Sequence, residues 1–400
     1  MPTLIVPPRQ TPNTETMLQA AHAAGWSTQR LASWRVPPGL AGQDPVLYGE
    51  PLFADVVADA LGVALLQPTP DWLPALPKRY RLCVISLSTL DEARGAAGPA
   101  FIKPVDDKCF PAQVYADGAA LPAQGLLPGD TLALISEPVV WTVEYRCFVH
   151  ERQVLTCSPY WREGALAQDE GGNWPVPAEE RAEALAFAAR LLADPGVALP
   201  PACVVDVGRI AGKGWAVVEA NSAWGAGIYG CDPAAVLRVL RRAVLPARAV
   251  SAADQRWVRP LPEVEVQAEP KLPTPSADGL VTLYRPVGAA ELALIAERGY
   301  TAFPPRLLEQ PIFYPVLNEA YASQITREWN AQDGRFGYVT RFQVRTTFLE
   351  RYPVQVVGNR GHAELWVPAE ELAEFNANIV GPIEVSASYR PESNNGASAA

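Results

Sequence analysis

The chain is poor in the residues that build metal cages. Only three histidines (His22, His150 and His362) and two methionines occur in 400 residues. The six cysteines, Cys83, Cys109, Cys147, Cys157, Cys203 and Cys231, never fall at CxxC spacing. A structural zinc site is therefore not written here. The cysteines sit in apolar, strand-like contexts and read as free buried thiols of a reducing compartment. No run reaches the roughly 18 apolar residues a membrane-crossing helix needs. "MPTLIVPPRQ" has no long apolar stretch before its first charge, so nothing reads as an export signal, and a cytoplasmic location is expected. Positive charge is also scarce: 33 Lys and Arg against 43 Asp and Glu leave a formal charge of −10. That disfavours a bulk grip on nucleic acid, although a local basic groove leaves an RNA end open as a substrate. No internal repeat is visible.

Proline, by contrast, is abundant at 40 residues, and it punctuates the chain. Residues 1–77 alternate strand and helix ("TLIVPP", "NTETMLQAAHAAG", "PVLYGEPLFADVVADALG"), with Asn13 read as a helix N-cap. This predicts a small α/β unit with parallel strands. Residues 78–244 are richer in strands: "AFIKPV", "TLALISEPV", "WTVEYRCFV", "QVLTCSPYW", "CVVDVGRI" and "WAVVEAN". Helices are expected at "PAEERAEALAFAARLLA" and "DPAAVLRVLRRAV". Residues 245–278 are proline-rich and aperiodic, a linker or a surface strap. Residues 279–390 form a third, α+β block, closed by a helix at "PAEELAEFNANIV", and 391–400 read as a disordered tail. The expected fold class is α/β with a separate α+β domain at the C-terminus.

The chemistry concentrates in the second block. Strand residues alternate faces, so Glu144, Arg146 and Phe148 share one side of "VEYRCFV", and Val143, Tyr145 and Cys147 the other. A charged pair on an apolar strand suits a polar site. Lys103 ends "AFIK", and Lys108 follows across a turn bearing Asp106 and Asp107. Asp206 ends one apolar run, while Glu219 and Asn221 share a face at the end of the next. Read singly, Asp206 is more simply a strand-end turn acid, Glu219 and Asn221 are equally a solvated strand end, and Glu144 with Arg146 a surface ion pair. Read together, they supply cations for phosphate oxygens and hard oxygen ligands for a divalent metal. "GRIAGKG" joins two strands rather than opening a helix and is a poor dinucleotide signal. In "NSAWGAGIYG", Gly225, Gly227 and Gly230 suit close backbone approach or positive φ, and Trp224 and Tyr229 suit either packing or an acceptor slot.

The ordered set "FIKP(x3)K", "SEPV", "EYRCFV" and "DVG…W.VVEAN" resembles the nucleotide-binding core of the ATP-grasp superfamily over about Ala100 to Asp232. It is most similar to the clade marked by one arginine and two lysines, whose members are proposed to ligate peptides or modify RNA. The resemblance implies ATP and Mg²⁺ as cofactors. It implies that Lys103 and Lys108 contact the phosphates or the adenine edge. Ser136 to Val139 would form the hinge beside adenine, with Glu137 near its amino group or the ribose. Glu144 would belong to the same nucleotide site, Arg146 would neutralise the transferred phosphate, and Asp206, Glu219 and Asn221 would hold Mg²⁺. The family's usual glycine-rich phosphate loop has no counterpart in "VDDKCFPAQVYADG", which contains only Gly118. The implied activity is a ligase that activates a carboxylate as an acylphosphate for attack by an amine on a small molecule or peptide.

The C-terminal block is distantly similar in its order to ADP-ribosyltransferase-like folds. That similarity implies a second site of Arg285, Tyr314 and Glu364 around NAD, where a glutamate steadies an oxocarbenium-like ribose. Two alternatives to a ligase follow: an enzyme of this C-terminal kind acting on NAD, ADP-ribose or an RNA end, and a nucleotide-responsive binding protein without turnover.

Overall fold

The structure, a computed structural model, describes residues 1–32, 34–105, 109–122, 127–261, 271–306, 312–327, 336–356 and 363–390. It is mixed α/β and divides into two compact units, Met1–Glu263 and Val264–Ala400.

The first unit opens with β1 (Thr3–Val6), α1 (Pro12–Ala23), β2 (Ser27–Arg30), β3 (Pro45–Leu47), α2 (Pro51–Leu61) and β4 (Val63–Leu65). β1 pairs in parallel with both β2 and β3, as strand-helix alternation predicts. The cap of α1 is Thr11, not Asn13. Pro12 takes the first helical position, where a missing N–H costs nothing. Thr11 accepts the Thr14 N–H at 3.1 Å, and Thr14 accepts the Thr11 N–H at 2.9 Å.

Next come α3 (Trp72–Ala75), α4 (Lys78–Arg81), β5 (Ile85–Thr89), α5 (Leu90–Ala93), β6 (Ala100–Pro104), β7 (Gln113–Tyr115) and β8 (Leu132–Ser136). The strands form an antiparallel sheet in the order β5-β8-β6-β7 over a small core that includes Leu90, Ile102, Phe110 and Tyr115.

β9 (Trp141–His150), β10 (Gln153–Arg162), β11 (Ala165–Leu166), α6 (Ala178–Ala193), β12 (Ala202–Ile210), β13 (Gly214–Asn221), α7 (Pro233–Ala243) and β14 (Val244–Pro246) complete the unit. Their five-stranded antiparallel sheet runs β11-β10-β9-β12-β13. One face, bearing Phe148 and Val204, packs on α7 and on the β1–α2 region. The other, bearing Val143, Tyr145, Cys147 and Val205, packs on α3, α4 and α6. The segment read as a linker or strap is bonded in over its first part. β14 pairs with β4, Arg259 forms a two-pronged ion pair with Asp55, and Trp257 is buried.

The second unit contains β15 (Leu280–Gly288), α8 (Ala289–Glu297), β16 (Ile312–Phe313), α9 (Glu319–Ile325), β17 (Gly337–Arg345), α10 (Thr346–Leu349), β18 (Val354–Val356), β19 (Ala363–Leu365), β20 (Val367–Pro368), α11 (Leu372–Ala377) and β21 (Ile379–Tyr389). Its main sheet is β15-β17-β21, over a core in which Phe303, Phe313, Phe342, Phe348 and Phe375 pack edge to face or tilted. The block does not close on a helix. α11 stops at Ala377, and the chain returns as the eleven-residue β21. Pro382 is tolerated there because β21 is an edge strand. The tail, 391–400, lies outside the described residues.

Candidate functional site

Strand register assembles a charged row. Arg146 on β9 stands opposite Asp206 on β12, and Asp206 stands opposite Glu219 on β13. The last placement needs a β-bulge. Asp206 pairs with Glu219 but Val207 pairs with Val217, so Val218 is the extra residue. The bulge sends Glu219 to the Asp206 face while Val217 stays in the core of the opposite face. In a regular strand, residues two apart would share a face.

Arg146 is a buried cation with three of its five N–H donors engaged. Its Nε and Nη2 donate to the two oxygens of Asp206 at 3.0 and 2.6 Å, and Nη1 donates to the Gly227 carbonyl at 3.1 Å. Tyr160 and Tyr229, stacked with centroids 5.0 Å apart, each lie about 5 Å from the guanidinium carbon. Thus Arg146 is not half of a surface ion pair with Glu144; its partner is Asp206. Asp206 is completely buried, which pushes its carboxyl up to about 6 while Arg146 pulls the other way.

Glu219 behaves oppositely. Burial works to raise it, but Lys103, the Asn221 amide and Arg146 outweigh burial and bring it down to about 2. Lys103 Nζ donates to Glu219 Oε2, and Asn221 Nδ2 donates to Oε1 at 2.8 Å. Asn221 also lies 3.4 Å from Asp206 Oδ2. Burial pushes Glu144 up to about 7, against the Tyr160 hydroxyl that donates to it.

A cavity of about 300 Å³ opens beside this row and reaches it at Glu219; Arg146, Asp206 and Asn221 do not line it. Lys103, Ser136, Glu137, Val139, Glu144 and Glu219 all line it, joined by an apolar wall that includes Leu73, Ile85, Phe101, Trp141 and Val217. Such a volume, largely apolar with a few convergent charges, is the usual character of a small-ligand site. Glu137 also fastens the cavity rim. Its carboxylate accepts the Val84 N–H at 2.8 Å, and its own N–H donates to the Val84 carbonyl at 3.1 Å. Lys108, with Asp106 and Asp107, lies outside the described residues.

Hydrogen bonds tie the glycine-rich turn after β13 to this row. Trp224 is wholly buried and donates to the Leu66 carbonyl, so it packs and does not line an acceptor slot. Tyr229, with φ of 47°, reaches the Arg146 face. A side chain at Gly230 would meet Trp174 and Ser158 at 2.5–2.6 Å, which explains its glycine by close approach rather than by positive φ. Neither Tyr160 nor the apolar wall stands out in the sequence. Only the alternation of "TCSPYW" places Tyr160 on the Ser158 side of the bulged strand β10, and no spacing signals its stacking partner.

Among the described residues no group of three or more His, Cys, Asp or Glu side chains could hold a metal ion, and no helix is long and apolar enough to cross a membrane. The donor set does fit a Mg²⁺ held jointly with phosphates, which asks for one or two carboxylates plus ligand oxygens. Glu219 and Asn221, near the end of β13, offer a carboxylate and an amide oxygen, while Asp206 stands in the middle of β12, wholly buried with both oxygens on Arg146.

In the second unit, Arg285, Tyr314 and Glu364 are brought near one another. Arg285 Nη1 donates to the Tyr314 carbonyl at 3.3 Å while Glu291 holds its Nε at 2.9 Å, and Val316 bridges Tyr284 and Glu364. Glu364 is buried, which pushes it up to about 7, although Trp366 Nε1 donates to it at 2.6 Å. His362 lies outside the described residues.

Residues 83–239 match a family model described as an ATP-grasp domain, family 2 of the clade named for one arginine and two lysines. Among solved structures, a RimK domain ATP-grasp protein from Sphaerobacter thermophilus is 16% identical, covering 61% of this chain and 97% of that one, with a TM-score of 0.36. The D-cycloserine synthetase DcsG is 14% identical, covering 60% and 99%, with a TM-score of 0.39. A D-alanine–D-alanine ligase from Bacillus anthracis is 11% identical, covering 60% and 96%, with a TM-score of 0.35. These likenesses are distant. No curated protein matches the chain.

Proposed function

We propose that the first unit binds ATP in the cavity beside the Arg146–Asp206–Glu219 row. On this reading the protein is an ATP- and Mg²⁺-dependent ligase that joins a carboxylate to an amine of a small molecule or peptide. The observation that carries it is the convergence of Lys103, Glu144 and Glu219, drawn from three different strands, on one cavity walled by Ser136, Glu137 and Val139. The match of residues 83–239 to the ATP-grasp model supports the same reading.

The residues divide the work. The apolar wall takes the base, with Ser136 to Val139 as the neighbouring strand end. Glu144, on the cavity wall, lies within electrostatic reach of Lys103 and Glu219. Lys103, now satisfied by Glu219, is free to exchange that carboxylate for phosphate oxygens, and Lys108 joins it. Glu219 and Asn221 would hold Mg²⁺, with Asp206 behind them kept on Arg146, and the ion would screen the charge between phosphate oxygens. Arg146 acts in place: three of its donors are spent on Asp206 and Gly227, so it steadies the row and adds positive potential without swinging to the phosphate. In the reaction a substrate carboxylate oxygen bonds to the γ-phosphorus as ADP leaves. An amine nitrogen then bonds to the acyl carbon and gives up a proton as phosphate leaves.

The matched region ends at residue 239, so NAD chemistry in the C-terminal unit gains no support from it. Arg285 is held by Glu291 through two donors and by the Tyr314 carbonyl through a third, which argues for a packing role there. The test is turnover: the full chain with ATP, Mg²⁺ and a pool of carboxylates, amines and peptides should release ADP and phosphate in step with product. Glu219→Ala and Asn221→Ala should lower that release by a hundredfold or more while the chain stays folded. ATP binding without any acceptor-dependent release would instead favour the non-catalytic binding protein, and NAD consumption would favour the C-terminal reading.

A further inference from the structure

Behind the charged row, on the other face of the same strands, Cys147 of β9 stands opposite Cys157 of β10. Both are buried and belong to one core cluster. The kind of pairing can be counted from two ends. The hairpin turns on Glu151 and Arg152, whose φ angles of 44° and 63° belong to a two-residue I′-type turn. The flanking pair His150–Gln153 is then hydrogen-bonded, and alternation follows. Val149–Val154 is non-bonded, Phe148 with the bulged Leu155–Thr156 is bonded, and Cys147–Cys157 is non-bonded. From the other end, Pro159 has no N–H to give β9 and sits opposite Tyr145, so that pair is non-bonded. Two residues along, Cys157 is again non-bonded. The counts agree. Such pairs hold their Cα atoms about 4.5 Å apart, within the roughly 4.4–6.8 Å that a disulfide spans.

The two thiols are also chemically unequal. The neighbouring Cys147, with help from Arg181, holds the Cys157 thiol below the ordinary thiol range against its burial. Cys147 is pushed well up by Cys157 beside it and by burial. Burial holds Cys203 and Cys231 up at about 12, and the residue opposite Cys203 on β9 is Val149.

We propose that Cys147 and Cys157 are a redox-active dithiol that closes to a cross-strand disulfide under hydrogen peroxide and reopens with a dithiol reductant. In the first step the Cys157 thiolate bonds to one peroxide oxygen as the O–O bond breaks, and the other oxygen leaves as hydroxide, which takes a proton to become water. In the second, the Cys147 sulfur attacks the resulting sulfenic sulfur, loses its proton, and a second water leaves. Two thiols and one peroxide give one disulfide and two waters; the sulfurs lose two electrons and the peroxide gains them. The bond would tie together the two strands that carry Arg146 and Tyr160.

Trypsin offers a clean test, because cleavage after Arg146, Arg152 and Arg162 places the two cysteines on separate peptides, Cys147–Arg152 and Gln153–Arg162. The native full-length chain is exposed to peroxide, quenched with N-ethylmaleimide and digested without reductant. The expected product is these two peptides joined, at two hydrogens below the sum of their masses, and separated again by dithiothreitol. Cys147→Ala should leave Cys157 as a sulfenic acid that dimedone traps. Recovery of both peptides alkylated, at a peroxide dose that oxidises Cys109, overturns the proposal. So does a link from Cys147 to Cys203, or Cys157 carried to sulfinic acid without a link. The wild-type digest decides even if a variant fails to fold.

Discussion

The two units each contain a buried or half-buried glutamate near an arginine, and the two glutamates behave in opposite ways. Glu219 in the first unit is brought down to about 2, because Lys103 and Asn221 bond to it directly. Glu364 in the second is pushed up to about 7 by burial, which its neutral partners Trp366 and Tyr321 offset only in part while Arg285 is spent on Glu291. The same carboxyl group is thus a stored negative charge in one place and close to a neutral acid in the other. What separates them is the company of full charges. A row of compensated charges opening on a cavity is suited to trading its internal partners for a charged ligand. A nearly neutral acid packed between aromatic groups is suited to holding strands together.

The widest break in this comparison would come at Arg146. Arg146→Met strands the wholly buried Asp206 without its partner and should lower unfolding free energy by about 3–5 kcal/mol, measured by urea titration. Adding Asp206→Asn should recover at least half of that loss. A single variant costing under about 1 kcal/mol would mean the row is not a compensated buried cluster.

Glu364 gives the next effect. Its folded value, near 7, lies above the ordinary carboxyl value, so the folded state holds the proton more tightly than the unfolded chain. The resulting stability is full below about pH 4.5 and is lost as pH rises through 7. The whole span is about 3 kcal/mol. Glu364→Gln should flatten this dependence and raise stability at pH 8 relative to the parent chain, read by denaturant unfolding at pH 5 and pH 8. Glu219 has the opposite sign: its depressed value contributes stability above the ordinary carboxyl range that is lost as pH falls toward 2. If Glu364→Gln leaves the neutral-side slope unchanged, the contrast between the units is wrong.

The smallest effect sharpens rather than breaks. Lys103→Met should weaken ATP binding by about 10- to 100-fold, roughly 1.4–2.7 kcal/mol, in calorimetry with Mg²⁺ present. An unchanged affinity would leave the Lys103–Glu219 pair as a structural bridge only.

Much of the site could be read from residue types and alternation. Alternation along "VEYRCFV" set Glu144 and Arg146 on one face, and "VVEAN" put Glu219 and Asn221 together. The partner of Arg146 could not be read, because register between β9 and β12 is fixed by the packing of both faces and not by either strand alone. The bulge at Val218 has no sequence marker, yet it decides which face Glu219 occupies. In the C-terminal unit, Gly381 and Pro382 hid the strand β21, since both residues are poor strand formers away from an edge. Thr11 outranked Asn13 as a cap only because Pro12 fixed where the helix begins.

The most direct measurement is a crystal structure of the full chain with a non-hydrolysable ATP analogue and Mg²⁺. The base should lie in the apolar part of the cavity beside Val139, with the triphosphate at Lys103 and the cation at Glu219 and Asn221. An ordered nucleotide bound elsewhere, with Lys103 still on Glu219 and the cavity filled only by solvent, would contradict the account.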